Sequence, residues 1–210
     1  MRTHHLPPLL RQHLAALRML LVFTVLTGVA YPLVVTGIAE TAFPHRANGS
    51  LMTTNGEPVA SSLLGQNFAL PKKNPDDPEE ELRPDPQWFQ PRPSAGGYDP
   101  LASGASNLGP NNPRLMTAVR QRRIAVAAFD GVSPASVPVD AVTASGSGLD
   151  PAISPAYAYE QVTRVAKTRR LAPAEVRQLV TDHLQGRVLG FLGQENVNVV
   201  ELNHDLAGLV

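Results

Sequence analysis

The chain has 210 residues, with 18 basic and 18 acidic side chains, six histidines and no cysteine. Its length allows one ordinary domain plus an additional segment, and the balanced charge gives no reason to expect a nucleic-acid partner. The lack of cysteine excludes disulfides, zinc-thiolate sites and cysteine nucleophiles, and the histidines show no recognised metal-ligand spacing.

The N-terminal part contains one predicted membrane helix. Residues 19–39 form an uncharged run of 21 residues, and a helix of that length spans roughly 30 Å, the hydrocarbon thickness of a bilayer. Pro32 is compatible with this interpretation because membrane helices tolerate proline. The alternative is a cleaved secretory signal, since Gly37-Ile38-Ala39 offers small residues to a signal peptidase, but the apolar run exceeds the usual length of about 7–15 residues.

Charges on the two sides of this run predict its orientation. Arg2, Arg11 and Arg18 precede it without any acidic residue, whereas Glu40 follows it directly. By the positive-inside rule, residues 1–18 form a cytoplasmic segment, residues 19–39 the transmembrane helix, and residues 40–210 a soluble domain outside the cytoplasm. We therefore expect a single-pass protein of the inner (plasma) membrane.

The first part of the exported segment combines a hairpin with an acidic insertion. Residues 48–64 predict the hairpin, because Asn55-Gly56 is the strongest short signal for a turn between two strands. Residues 72–86 carry six acidic and three basic side chains without an alternating apolar pattern. This composition predicts a solvated, mobile insertion that contributes nothing to the core.

The remaining sequence predicts a mixture of helices and strands. Helices are predicted from Asn112-Pro113 to near Gly131, from Ser154-Pro155, and from Pro173 to Gly186. Strands are predicted over residues 137–143 and 196–203, and the basic residues at 164, 167, 169 and 170 are expected on a solvated helix face. Without a βαβ repeat, the fold class is α+β: one N-terminal transmembrane helix followed by a single mixed α/β soluble extracytoplasmic domain.

Few residues point to catalysis. No phosphate-binding GK[ST] motif is present. A membrane-anchored periplasmic hydrolase would use Ser147 with His183, and Asp140 or Asp150 could orient the histidine. However, a nucleophile elbow requires glycine where Ser145 stands. The residues themselves therefore predict no catalytic, cofactor-binding or metal-binding site.

Several sequence blocks follow one another along the chain, among them residues 27–32 in the membrane helix, 92–95, 103–110 and 143–151. They resemble, in this order, the motifs TGxxYP, RPSA and SGGSNLGP and the longest motif of one family. That family is the C subunit of the Kdp high-affinity potassium-transporting ATPase, and the resemblance runs nearly end to end. Ala105 stands where the family has the second glycine of SGGS, and the segment between residues 70 and 87 is longer than the family's usual link.

The resemblance implies a complex of four kinds of subunit. The partners would be a channel-like potassium-binding subunit, a P-type ATPase subunit and a very short single-span subunit, and ATP and potassium would act at those partners. This chain would be a non-catalytic accessory subunit that stabilises assembly and shapes the outer potassium entrance. The alternative is a catalytic chaperone that raises the ATP affinity of the ATPase subunit, but the predicted topology separates residues 41–210 from cytoplasmic ATP.

Residues 92–113 are rich in Gly, Pro, Ser and Asn, yet too varied in order for a linker, so this loop is expected to dock on a partner. The candidate residues fall into three groups. The docking candidates are Arg92, Ser94, Ser103, Gly104, Ser106, Asn107, Asn111 and Asn112. The family-motif loop contributes Asp140, Ser145, Gly146, Ser147, Gly148 and Asp150. The membrane-helix motif contributes Thr27, Gly28, Tyr31 and Pro32.

Overall fold

The structure is a computed structural model that describes residues 7–77 and 80–209. The chain divides into two compact units, one ending at Leu51 and the other beginning at Met52. Arg2, one of the three arginines used to predict the orientation, lies outside the described residues.

The first unit is dominated by one helical rod. Helix α1 (Pro8–Val25) continues through a π-helical turn (Leu26–Ala30) into α2 (Tyr31–Ala42), and a short α3 (Pro44–Ala47) follows. The rod from Pro8 to Ala42 is long and apolar enough to cross a membrane, and nearly all of its residues are exposed. It contains the predicted span and extends it at both ends.

The π-helical turn explains the sequence of the membrane-helix motif. Pro32 has no backbone N–H, and a proline ring clashes with the carbonyl one turn earlier in a regular α-helix. A wider turn directly before Tyr31-Pro32 relieves this conflict, and Thr27 inside it donates its hydroxyl to the carbonyl of Phe23 at 2.6 Å. The motif Thr27, Gly28, Tyr31 and Pro32 thus forms a local widening of the helix.

The second unit begins with the predicted hairpin. Strand β1 (Leu51–Thr54) pairs with β2 (Glu57–Ser61). Asn55 and Gly56 have φ values of 55° and 86°, the left-handed conformation that tight hairpin turns require at both central positions. The prediction from Asn55-Gly56 is confirmed.

Helices pack against a small antiparallel sheet in the rest of this unit, which confirms the α+β class. The sheet has the order β3 (Ala152–Ile153), β5 (Asn196–Asn198), β4 (Leu184–Gln185), with Val197 opposite both Ile153 and Leu184. The helices are α4 (Pro113–Asp130), α5 (Pro155–Arg169), α6 (Pro173–Asp182) and α7 (Val199–Ala207). Apolar side chains from α5, α6, α7 and β5 supply most of the buried core.

Local capping signals explain where the predicted helices begin. The Asn112 side chain accepts the N–H of Arg114 at 2.9 Å, and the Ser154 hydroxyl accepts the N–H of Tyr157 at 3.1 Å. Gly131, with φ of 71°, ends α4 in the left-handed conformation that glycine adopts without strain. Helix α6 ends at Asp182, four residues before the predicted stop at Gly186.

Both predicted strands require correction. Residues 137–143 form a turn, in which the N–H groups of Val142 and Thr143 bond to the carbonyl of Val139 at 3.2 and 3.1 Å. The β-branched residues were misleading because Val137 and Val142 need only to be buried, which a turn achieves as well as a strand.

The predicted strand 196–203 is correct only for its first three residues. The Asn198 side chain accepts the N–H groups of Val200 at 3.0 Å and Glu201 at 3.2 Å, and so starts helix α7. The sequence contained this signal, because an Asn followed three residues later by Glu resembles a capping box.

The predicted solvated face of α5 is also wrong at two positions. Arg164 is buried: its guanidinium bonds to the Asp130 carboxylate at 2.6 Å and the Gln161 side chain at 2.6 Å, and to the carbonyls of Pro86 at 2.7 Å and Trp88 at 2.9 Å. The Arg169 guanidinium stacks 4.2 Å from the centre of the Trp88 ring. Lys167 and Arg170 are exposed, as expected.

The acidic insertion is fixed at its base. An antiparallel bridge joins Ala69 to Pro84, and the Leu70 N–H donates to the carbonyl of Arg83 at 2.8 Å. Asp85 is buried, and the Pro86 carbonyl accepts a hydrogen bond from Arg164. The expectation that residues 72–86 contribute nothing to the core therefore fails at their C-terminal end.

We expect that replacing residues 73–82 by a short Gly-Ser link leaves the melting temperature of the chain within about 1–2 °C, because such a surface change alters the unfolding free energy by at most about 0.5 kcal/mol. Extending the replacement through Pro86 should lower it clearly, because the buried Asp85 is removed and no carbonyl is held where that of Pro86 accepts from Arg164. Thermal unfolding of both variants provides the measurement. Equal melting temperatures would contradict the structural role of Asp85 and Pro86.

Candidate functional site

Two loops of the second unit pair with each other through hydrogen bonds. The first loop comprises residues 92–112 and the second comprises residues 143–150; together they are called the paired loops. The Ser145 N–H donates to the Pro93 carbonyl at 3.2 Å, and the Gly104 N–H donates to the Ser147 carbonyl at 2.8 Å. The Ser103 hydroxyl donates to the same Ser147 carbonyl at 3.0 Å. The first loop is thus held against the body of the unit, unlike a linker.

Gly148 allows the two loops to approach closely. Its φ is 70°, and a Cβ atom there would lie 2.8 Å from the Gly104 carbonyl oxygen and 3.3 Å from the Ser94 hydroxyl. Any other residue would therefore suffer both backbone strain and collision. The Ser94 hydroxyl donates to the Gly148 carbonyl at 2.7 Å and accepts the Tyr98 N–H at 3.0 Å, so it connects the loops at this point.

An ion pair closes one end of the paired loops. The Arg92 guanidinium lies 3.0 Å from the Asp150 carboxylate, with both side chains half-buried, and also bonds to the Thr143 carbonyl at 3.5 Å. Tyr98 donates its hydroxyl to the Arg92 carbonyl. Burial raises the pKa of the Tyr98 hydroxyl, and the nearby Asp150 carboxylate raises it further. Tyr98 therefore remains a neutral donor at physiological pH.

The residues proposed for a hydrolase are engaged in separate contacts. The Ser147 hydroxyl accepts the N–H of Leu149 at 3.1 Å, while His183 contacts Asp205 at 3.1 Å. Asp140 accepts the N–H of Ser154 at 2.7 Å and its hydroxyl at 2.9 Å. Asp150 bonds to Arg92. Among residues 7–77 and 80–209, no hydrogen bond joins Ser147 to His183, so the geometry gives this alternative no support.

The docking candidates fall into an inner and an outer group. Arg92, Ser94, Ser103 and Gly104 make contacts within the paired loops. In contrast, the exposed residues Ser106, Asn107 and Asn111 make no side-chain hydrogen bond among residues 7–77 and 80–209. Asn112 caps α4, which gives it a structural role. Gly146 is exposed at the tip of the second loop, whereas the Ser145 side chain is buried.

A cleft of about 500 Å³ lies beside the paired loops. Its lining includes Arg92, Thr143 and Asp150 of the paired loops, the segment 194–196, and Asp140 and Ser154. Three carboxylates, from Asp140, Asp150 and Glu195, stand against one guanidinium, from Arg92, so the lining carries a net charge of −2. This cleft could not be predicted from the sequence, because its walls come from four separate segments.

Sequence reasoning also missed two residues that support the site. The Gly65 N–H donates to the Leu149 carbonyl at 2.7 Å, and a Cβ atom at Gly65 would lie 2.6 Å from the Tyr98 ring. The buried Asn203 side chain accepts the Phe89 N–H and donates to the Phe89 carbonyl, both at 2.9 Å. It therefore fixes the chain just before the first loop begins. Neither residue was among the candidate site residues, because each acts through a distant part of the chain.

Comparison with known proteins gives a consistent result. Residues 13–208 match the family model described as the c chain of K+-transporting ATPase. The chain is 51% identical to the potassium-transporting ATPase KdpC subunit of Kineococcus radiotolerans over 197 residues, which cover 93% of this chain and 92% of that protein. It is 52% identical to the subunit of the same name from Sorangium cellulosum (92% and 95% covered) and 47% identical to that from Mycobacterium tuberculosis (92% and 96% covered).

Proposed function

The chain belongs to the KdpC family, the c chain of K+-transporting ATPases, and from this premise we propose how it serves as an accessory subunit of such a complex. It is a non-catalytic subunit that stabilises the assembly of the channel-like and P-type ATPase subunits and shapes the outer entrance of the potassium path. A small single-span subunit completes the complex. The phosphorylated aspartate, ATP and potassium belong to these partners.

The observation that carries this proposal is the geometry of the paired loops. Their inner residues bond to one another, so that the backbone of the loops is fixed before any partner arrives. A preformed surface loses little conformational entropy on binding, and that is a property of docking surfaces. The outward amides of Asn107 and Asn111 offer donors and acceptors to a partner.

The alternative, a catalytic chaperone that raises ATP affinity, gains no support from the loop at Ser103. Direct binding of a phosphate would require free N–H and hydroxyl donors, as in other phosphate-binding loops. The Gly104 N–H and the Ser103 hydroxyl both donate to the Ser147 carbonyl. An effect on ATP affinity would therefore have to be transmitted through the assembled partners.

We propose that the N-terminus is cytoplasmic and the second unit extracytoplasmic, because Arg11 and Arg18 precede the apolar helix core and Glu40 follows it. Since the chain has no native cysteine, Asp76→Cys introduces a single thiol on the exposed insertion. A membrane-impermeant maleimide should label it in intact cells with a permeabilised outer membrane. Gln12→Cys, which keeps both arginines, is the matched control and should react only after the inner membrane is lysed. The reverse pattern would contradict the proposed topology and make direct contact with ATP possible.

A further inference from the structure

A second exposed feature lies between the outer strand β4 and the central strand β5 along the chain. Residues 187–193, here called the apolar hairpin, fold back on themselves: Val188 and Leu192 exchange two backbone hydrogen bonds, each 2.9 Å long. Leu189 and Gly190 form the turn, with φ values of 55° and 81°. The four large apolar side chains are between 49% and 79% exposed: Val188, Leu189, Phe191 and Leu192.

This arrangement is costly for a chain in water. Four neighbouring apolar side chains form an exposed patch of the kind that marks binding surfaces, and aromatic residues and arginine, here Phe191 and Arg187, are enriched at the centres of interfaces. Leu189 also occupies the left-handed region, where asparagine or glycine would be favoured and a leucine is strained. Asparagine or glycine would form this turn with less strain. The leucine therefore indicates that this position serves to present an apolar side chain.

The position of the hairpin indicates what covers it. Its C-terminal end continues directly into residues 194–196, which line the cleft shared with Arg92 and Asp150. The apolar patch and the cleft with a net charge of −2 are therefore adjacent along the chain, and the cleft reaches the paired loops. An occupant must combine an apolar surface with positive charge. Lipid headgroups carry a net charge that is zero or negative, so they do not satisfy the second requirement.

We propose that the apolar hairpin and the cleft form one docking site for a segment of a partner subunit that presents an apolar groove to the hairpin and a basic side chain to the cleft. This inference rests on the proposed function and adds the chemistry of the partner surface. The apolar contact supplies affinity, whereas the charged contact fixes orientation and selects the partner.

The test uses the full chain co-expressed with the other subunits of its complex. Leu189→Asn, Phe191→Ser and Glu195→Lys should each lower the recovery of the assembled complex roughly tenfold, the effect of losing a central interface contact. Leu189→Asn should leave the melting temperature of the chain unchanged or raise it, because asparagine tolerates positive φ. The matched control is Ile124→Gln, which removes an apolar side chain that is 65% exposed on a different element, α4. Full recovery of the complex with both hairpin variants would overturn the inference.

Two further measurements identify other occupants. A fluorophore attached at Leu189→Cys should not be quenched by brominated phosphatidylcholine in vesicles that contain only this chain, and should shift to shorter wavelength when the partner subunits are added. Quenching in the absence of partners would assign the hairpin to the bilayer and overturn the inference. The isolated chain in detergent provides the second measurement. If it forms dimers that Phe191→Ser dissociates, the hairpin binds a second copy of the chain, and the inference is overturned.

The inference and the proposed function can fail separately. If variants of Asn107 and Asn111 weaken assembly while the hairpin variants assemble normally, the docking site at the hairpin is wrong and the accessory role stands. If the unaltered chain is not recovered with the other subunits at all, the accessory role itself is wrong.

Discussion

Replacing Arg164 by methionine is expected to lower the free energy of unfolding by about 3–5 kcal/mol at neutral pH, the cost of leaving a buried charge without its partner. Arg164 joins α5 to the end of α4 through Asp130 and to the segment before the first loop through the carbonyls of Pro86 and Trp88. Methionine fills a similar volume but satisfies none of these acceptors. Chemical denaturation of the full chain provides the measurement.

The pH dependence of this variant distinguishes the lost ion pair from lost packing. Burial raises the pKa of the Asp130 carboxyl above its usual value, and Arg164 opposes that shift through its hydrogen bond and its charge. Without Arg164 the folded-state pKa rises further, whereas unfolded Asp130 still titrates near pH 4. Between these two values the folded state binds more protons than the unfolded state, so stability falls as pH rises. The loss of unfolding free energy caused by Arg164→Met should therefore be largest at neutral pH and should decrease in acid.

Two controls are needed for this measurement. Burial, with help from Asp130 and Asp140, raises the pKa of Glu160 to about 7, so Glu160 titrates in the same window. The chain with Arg164 and the chain with Arg164→Met are therefore compared in a Glu160→Gln background. The double variant Arg164→Met/Asp130→Asn removes the unpaired charge and should recover much of the loss at pH 7. A deficit that is independent of pH and is not relieved by the second substitution would show that packing, and not the ion pair, determines the loss.

Local signals predicted much of the fold because they act within a few residues. Asn55-Gly56 determines its own turn, and Asn112 and Ser154 cap helices through N–H groups two or three residues away. The misinterpreted segments depend on distant partners. Residues 137–143 are buried by other elements of the unit, and Arg164 is drawn inward by Asp130, which is 34 residues away in sequence. Composition alone could not distinguish that arginine from the exposed Lys167 and Arg170.

The site was predicted in its parts but not in its arrangement. Sequence blocks identified both loops, yet nothing in either block indicates that Gly148 and Gly104 approach closely enough to exclude a side chain. The apolar hairpin was not singled out, because short apolar runs are read as core unless the fold is known. Its signal was the Leu189-Gly190 pair, at which a leucine occupies a turn that favours asparagine.

Removing the outward amides of the first loop should weaken assembly without weakening the chain. Asn107→Gly retains the positive φ of 53°, which Asn107→Leu would strain, and Asn111→Ala removes the neighbouring amide. Each leaves a partner group unpaired at the interface, which typically costs about 1–3 kcal/mol, or roughly five- to 150-fold in affinity. Asn112→Ala is the matched control: it removes the cap of α4 and should lower stability by about 1 kcal/mol while assembly is retained.

The most direct test of the accessory role is the affinity of the chain for the remaining subunits, measured with Asn107→Gly, Asn111→Ala and Asn112→Ala together with the ATP dependence of the assembled pump. We expect weaker assembly for the first two variants, unchanged melting temperatures for both, and an unaltered Michaelis constant for ATP in whatever complex still forms. Normal assembly by Asn107→Gly and Asn111→Ala, combined with a raised Michaelis constant for ATP, would contradict the account and support the chaperone alternative.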